Sequence, residues 1–326
     1  MKALVTGAGG FLGSRLSARL VREGAQVRML VRDRAHGHRL PDGEIMEGDV
    51  RDAEAMRRAV AGMDVVFHLA TVFRVQCLPE SVHRDVHVTG TRHLLDASLA
   101  SGIARFVHCS TVGVYGHVRH PPATETTPFG PTDAYQRTKL EGELLAMEYH
   151  RERGLPVTVL RPTGIYGPGD DRLKKLYRMA TSNPTFVLGS GEIHFQIIHV
   201  DDFVDALLLA ARKPEAVGEA FIAGGGECFT LNELLKLIAR VAGKEAHLVH
   251  LPLKPFQWAG SLVEAVCAPL NVHAPLSRRR VDFFNHSRDF DCAKARRLLG
   301  FEPRISLEEG WRETIASYGG KHGQNA

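Results

Sequence analysis

The sequence predicts an α/β fold: an open, doubly wound parallel sheet with helices on both faces and a smaller lobe toward the C-terminus. Three observations carry that prediction. Short apolar runs, at Lys2–Thr6, Gln26–Val31, residues 64–70 and Arg105–Cys109, alternate with stretches whose apolar residues recur every three to four positions. The first run passes directly through Gly7-Ala8-Gly9-Gly10-Phe11-Leu12-Gly13 into a helical pattern. Residues 64–70 are almost continuously apolar, as befits a strand buried on both faces of a parallel sheet.

Composition bounds the function classes. The chain has 326 residues, 44% hydrophobic and 24% charged, enough apolar mass for one large domain or two lobes. A net charge of +4 with no basic tract interleaved with aromatics argues against nucleic acid as a partner, and Arg278-Arg279-Arg280 reads as a solvated or anion-facing turn. The five cysteines (Cys77, Cys109, Cys228, Cys267, Cys292) are scattered, odd in number and without metal-ligand spacing. Reduced thiols, a cytoplasmic setting and no metal site are the expectation. A strand at the second residue argues against a cleaved signal peptide, and no apolar run reaches the ~18 residues of a membrane span.

Taken in order, the first strand and the glycine turn come first. Leu12, Leu16 and Leu20 continue at helical spacing to Gly24, a C-cap candidate. Gly7, Gly10 and Gly13, with Phe11 and Leu12, would let the backbone approach a pyrophosphate resting on the helix N-terminus. This is a Rossmann-type dinucleotide site. At the end of the second strand, Arg32 and Arg34 suit a ribose 2′-phosphate, with Asp33 the opposing feature, so NADP is expected and NAD possible. Residues 44–50 read as a third strand bringing Asp49 and Val50 to the adenine edge, and residues 51–62 as a helix. Leu69 and Ala70 would lie along the cofactor. A long helix over residues 81–101 carries Val86, Val88, Leu94 and Leu95, and the fifth strand delivers Ser110 and Thr111 at its carboxyl end.

The stretch Asp133-Ala-Tyr135-Gln136-Arg-Thr-Lys139 reads as a helix with a capping-box-like start, continued by Leu140, Leu144 and Leu145. Positions i and i+4 are neighbours on a helix. Lys139 therefore stands one turn from Tyr135, where its charge favours the phenolate and suits the phenol to general acid/base work.

With the glycine motif, Phe67-His-Leu-Ala70, Ser110-Thr-Val-Gly-Val-Tyr-Gly116, Tyr135-x-x-x-Lys139, Leu160-Arg-Pro-Thr-Gly-Ile-Tyr-Gly-Pro168, His199-Val-Asp-Asp202 and Phe290-Asp-x-x-Lys-Ala-Arg-x-Leu-Leu-Gly300, the chain resembles the extended short-chain dehydrogenase/reductases nearly end to end. That group includes nucleotide-sugar epimerases and dehydratases, dihydroflavonol reductases and 3β-hydroxysteroid dehydrogenases. The resemblance implies that Thr111 holds the substrate oxygen, Tyr135 exchanges the proton and Lys139 grips the nicotinamide ribose. It also implies that Pro162 and Thr163 border the nicotinamide, and that the protein is a homodimer. His87 departs from the pattern, standing where many relatives carry an asparagine.

The resemblance further implies a division into a dinucleotide-binding domain, residues 1–165 with about 196–224 returning to it, and a substrate-binding lobe, residues 166–195 and 225–326. Helical spacing marks residues 173–181, 203–212 and Leu231–Val241, the last after Thr230 as N-cap. Thr71, Gly164 and Phe195 are the candidate substrate residues. Sugar-nucleotide relatives carry an asparagine and an arginine where this chain has Gly164 and Phe195. With residues 255–270, whose Phe256, Val263, Val266 and Leu270 fall near one face, this points to an apolar wall, a dimer contact or a membrane-surface contact. The expected function is ketone/secondary-alcohol interconversion on an apolar small molecule such as a sterol-like, terpenoid or polyketide-like ring. The alternative is a nucleotide-sugar 4-epimerase or dehydratase.

Overall fold

The computed structural model describes residues 1–33, 40–72, 78–267 and 285–319. Its first half runs β1 (Lys2–Thr6), α1 (Phe11–Arg22), β2 (Gln26–Val31), β3 (Glu44–Glu47), α2 (Ala53–Val60) and β4 (Val65–His68). Then come α3 (Glu80–Arg84), α4 (Gly90–Ala100), β5 (Arg105–Cys109), α5 (Ala134–Arg153) and β6 (Val157–Pro162). The rest is β7 (Gly164–Tyr166), α6 (Lys174–Ala180), β8 (Thr185–Leu188), β9 (His194–Phe195), β10 (Ile197–His199), α7 (Val200–Arg212), β11 (Ala220–Ala223), β12 (Phe229–Thr230), α8 (Leu231–Val241), β13 (Leu248–Leu251), α9 (Leu253–Cys267) and α10 (Leu307–Gly319).

Among the described residues, seven parallel strands form one sheet in the order β11-β6-β5-β4-β1-β2-β3. The chain winds outward from β1 in one direction and returns through β4 in the other, so the order reverses between β1 and β4. Ligands of open α/β sheets bind at such a reversal, outside the carboxyl ends of the strands. Strand alternation builds two cores from one sheet. Ala3 and Val5 pack with Leu16 and Leu20 of α1 and Phe203 and Leu207 of α7, whereas Leu4 points the other way to Met56, Leu94, Leu95 and Tyr149. A third core gathers Trp311, Tyr166, Phe195, Phe229, Leu234 and Ile238 in the smaller lobe, where α8 starts on a full Thr230/Glu233 capping box.

Local differences from the sequence reading have physical causes. The third strand stops at Glu47, because Asp49 turns back to accept hydrogen bonds from Arg51. The helix over residues 81–101 contains a π turn, Asp85–Thr89, between α3 and α4. In α5 the leucine stripe is split: Leu145 is buried and Leu140 half-buried, but Leu144 is exposed, and the buried face also holds Tyr135, Gln136, Thr138, Lys139, Gly142 and Glu143. Asp133 caps Gln136 N–H, yet the Gln136 side chain accepts from Thr132 rather than completing a capping box. In α9, Phe256 and Val263 are half-buried while Trp258 is 79% exposed. Arg34, Leu270, Arg278, Arg279 and Arg280 lie outside the described residues, as does the side chain of Val266.

Candidate active site

The glycine turn is shaped by contacts that no side chain would allow. Gly7 has φ +70°, and a Cβ there would come 3.0 Å from the Ala70 backbone. At Gly13 a Cβ would fall 2.2 Å from the Gly7 carbonyl oxygen, so α1 can start hard against the end of β4 only with glycine at both places. Gly10 is the N-cap of α1 and makes no side-chain cap, leaving the N–H groups ahead of Phe11, Leu12 and Gly13 available to an anion. Leu69 and Ala70 are fixed by N–H donation to Thr6 Oγ1, at 3.1 and 3.2 Å. Across the reversal, Pro162 ends β6 and the buried Thr163 hydroxyl finds no hydrogen-bond partner among the described residues. A glycine cradle at the end of β1 and an orphaned hydroxyl at the end of β6 fit a dinucleotide laid across the carboxyl ends of the strands. Arg32 is exposed at the end of β2, and the Asp49 carboxyl is held below its ordinary range by Arg51. Val50 packs beneath Gly90.

Lys139 ties α5 to the end of β5. Tyr135 is 8% exposed and Lys139 4%, one turn apart on the inner face of α5. Lys139 Nζ donates to the Cys109 carbonyl at 2.5 Å, and burial pulls its pKa down. Thr111 starts the 3-10 turn Val112–Tyr115, where its Oγ1 accepts from Gly113 N–H at 3.0 Å and its own proton stays available. Ser110, one residue earlier, spends its proton on Glu143 at 2.5 Å. The geometry therefore singles out Thr111 over Ser110 as the hydroxyl able to meet a ligand.

Two polar networks join partners that sequence spacing does not reveal. Arg161 and Glu143 form a buried ion pair, with the Arg161 guanidinium also donating to the Tyr115 hydroxyl. Glu143 stands four residues after Lys139, so helical periodicity places it on the buried face; its partner on β6 is a tertiary fact. His68 and His108 are register partners on β4 and β5, with ring centroids 5.4 Å apart. The Thr6 hydroxyl, already accepting two N–H groups, donates to His68 Nδ1, whose Nε2–H then donates to Thr91 Oγ1, both at 2.9 Å.

The three candidate substrate residues are not equivalent. Thr71 is exposed just beyond β4 and bonded to His87. Gly164 is exposed, and a Cβ there would meet Ile197 at 3.1 Å. Phe195 is buried in the lobe core, paired through β9 with Phe229 of β12. The Arg288 guanidinium lies 5.1 Å above the Phe195 ring, so a cation reaches this place from a distant part of the chain. Sequence reasoning missed Arg288, because only the bridge between residues 195 and 288 brings it there.

Residues 3–224 match the NAD dependent epimerase/dehydratase family. The chain belongs to that family. Within its wider circle this protein is 32% identical to a dTDP-glucose 4,6-dehydratase of Streptomyces griseus, the match covering 97% of this chain and 93% of that one. It is 31% identical to a 2-alkyl-3-oxoalkanoate reductase of Stenotrophomonas maltophilia (97% and 99%) and 29% identical to a 3-beta-hydroxysteroid dehydrogenase of Mycolicibacterium neoaurum (97% and 91%). Among solved structures, a UDP-glucose 4-epimerase of Thermotoga maritima, with UDP-glucose, superposes with TM-score 0.78 at 28% identity, covering 99% of this chain and all of that one. The family members therefore include both net oxidoreductases and sugar-nucleotide enzymes. Among the described residues no cluster of His, Cys, Asp or Glu is arranged to hold a metal, and no helix is long and apolar enough to cross a membrane.

Proposed function

We propose that this family member is an NADP-preferring oxidoreductase that interconverts a ketone and a secondary alcohol on a mainly apolar substrate. The observation that carries the reading is the chemistry around Thr111. Tyr135 can give its proton to the carbonyl oxygen while the Thr111 hydroxyl donates to the same atom, and the Lys139 charge stabilises the phenolate left behind. The nicotinamide, when bound, supplies or takes the hydride. A dehydratase must also expel water, which asks for a second acid/base pair. The turn behind Thr111 offers Val112, Gly113 and Val114; Glu143 is committed to Arg161 and Glu125 accepts from Ile222 N–H. Gly164 against Ile197 and the buried Phe195 support an apolar ligand, and the exposed Arg32 supports NADP.

A second reading, a nucleotide-sugar 4-epimerase, is favoured by Arg288, a cation beside Phe195 that could meet a diphosphate. The two separate on cofactor balance. Purified protein is given NADPH or NADH with a steroid or 2-alkyl-3-oxo ester ketone, or with UDP-glucose. Loss of reduced-cofactor absorbance with the ketone and a silent UDP-glucose arm support the first reading. Conversion of UDP-glucose with unchanged absorbance overturns it in favour of the second.

A further inference from the structure

His87 sits in the π turn Asp85–Thr89, a local widening of the helix of the kind often found at functional sites, and its ring is buried. Its hydrogen bonds leave no freedom of assignment. Val72 N–H donates to Nε2 at 3.1 Å, so Nε2 carries no proton. Burial and the Lys139 charge hold the ring neutral, its pKa lowered to about 2. The ring proton is therefore on Nδ1, donated to Thr138 Oγ1 at 2.9 Å, and Thr138 passes its own proton to the Ala134 carbonyl at 2.8 Å. Thr71 Oγ1 lies 2.9 Å from the same bare Nε2. Thr71 must be the donor in that contact, sharing the one Nε2 lone pair with Val72 N–H. Its only proton then points at His87, and its remaining lone pairs are left for whatever approaches.

Thr71 is also where an approach would occur. It follows Ala70, which lies over Gly7, and the His87 ring meets the Tyr135 ring edge-on with centroids 5.6 Å apart at 83°. The Thr71 oxygen and the phenol flank one imidazole. We propose that His87 is a positioning residue that makes Thr71 an acceptor-only contact, so that the substrate carries a hydrogen-bond donor, a hydroxyl or amine, beside the carbon that exchanges hydride. This rests on the ketone/alcohol reading above and narrows it: an ether or ester oxygen at that place would face lone pair against lone pair.

The test compares α-hydroxytetralone with its methyl ether as substrates of the full-length protein with NADPH. Wild type should favour the hydroxy ketone in kcat/KM by on the order of tenfold, the worth of one neutral hydrogen bond. Thr71→Val should abolish the preference and Thr71→Ser should retain it. Equal kcat/KM for the pair in wild type, or a preference that survives Thr71→Val, overturns the proposal. Heteronuclear NMR of the imidazole nitrogens, with His87 identified by the signal lost in His87→Asn, reads the orientation directly. A proton on Nδ1 supports it; a proton on Nε2 overturns it, since Thr71 would then be free to donate. If neither these ketones nor the steroid and 2-alkyl-3-oxo ester consume NADPH, the ketone/alcohol reading fails, and the NMR result still decides the orientation of Thr71.

Discussion

Acid should destabilise this fold through three buried imidazoles. His68, His87 and His108 are each at most 2% exposed. Burial, reinforced by the Lys139 charge, lowers His68 to about 3 and His87 to about 2, and takes His108 well below its ordinary value. In the unfolded chain each returns to about 6.5. Below that pH the unfolded chain binds a proton that the folded chain refuses, so stability is lost as pH falls, by ~1.4 kcal/mol per pH unit for each ring. Between pH 7 and 5 the loss is ~2 kcal/mol per ring and roughly 6 kcal/mol for the three, as much as the whole stability of many domains. Urea unfolding at a series of pH values reads this slope. His108→Phe isolates one ring: neither of its nitrogens has a hydrogen-bond partner among the described residues, so an apolar ring of similar shape forfeits no bond there. It should remove ~2 kcal/mol of the loss between pH 7 and 5. Stability that is flat from pH 7 to 5, or a slope untouched by His108→Phe, would refute the neutrality of these rings.

Tyr135→Phe should keep cofactor binding, followed by fluorescence quenching, and lower kcat by about two to four orders of magnitude; equal turnover would remove the phenol from the reaction. Arg32→Ala should weaken NADP far more than NAD. One charge-assisted bond to a phosphate is worth ~1.5–3 kcal/mol, so the preference should fall about tenfold or more, and a wild-type protein that already prefers NAD defeats the argument from the strand end. Glu143→Gln preserves shape but leaves Arg161 with the Tyr115 hydroxyl and Glu125 carbonyl. Breaking a buried pair costs ~3–5 kcal/mol; with those two contacts retained, ~3 kcal/mol corresponds to a Tm lower by about 4 °C for a chain of this size. A shift below about 1 °C in a thermal melt would show that the guanidinium finds other compensation.

Periodicity and local chemistry determined much of this protein. The apolar runs, the glycine turn and the four-residue step from Tyr135 to Lys139 obey rules of short range: alternation along a strand, neighbours along a helix, and the freedom of glycine to bring backbones together. The parallel sheet follows from such rules, and the motifs built on them carry the resemblance to the family whose model matches residues 3–224. Where local rules misled, a longer contact had overridden them. Leu144 faces solvent because the inner face of α5 is occupied by Lys139, Gly142 and Glu143 against β5, β6 and the π turn.

Only the tertiary structure decided which polar atoms meet. By residue type Ser110 and Thr111 are interchangeable hydroxyls, and only the motif resemblance points to Thr111; in the structure Glu143 takes the proton of the first and Gly113 N–H donates to the second. His87 is one substituted letter until Val72 and Thr138, 15 residues before it and 51 after it, fix its tautomer. Arg288 reaches Phe195 across a bridge that no spacing announces. Hydrogen bonds and buried charges depend on distances of a few tenths of an ångström between segments far apart in the chain, and a one-dimensional pattern carries no such distances.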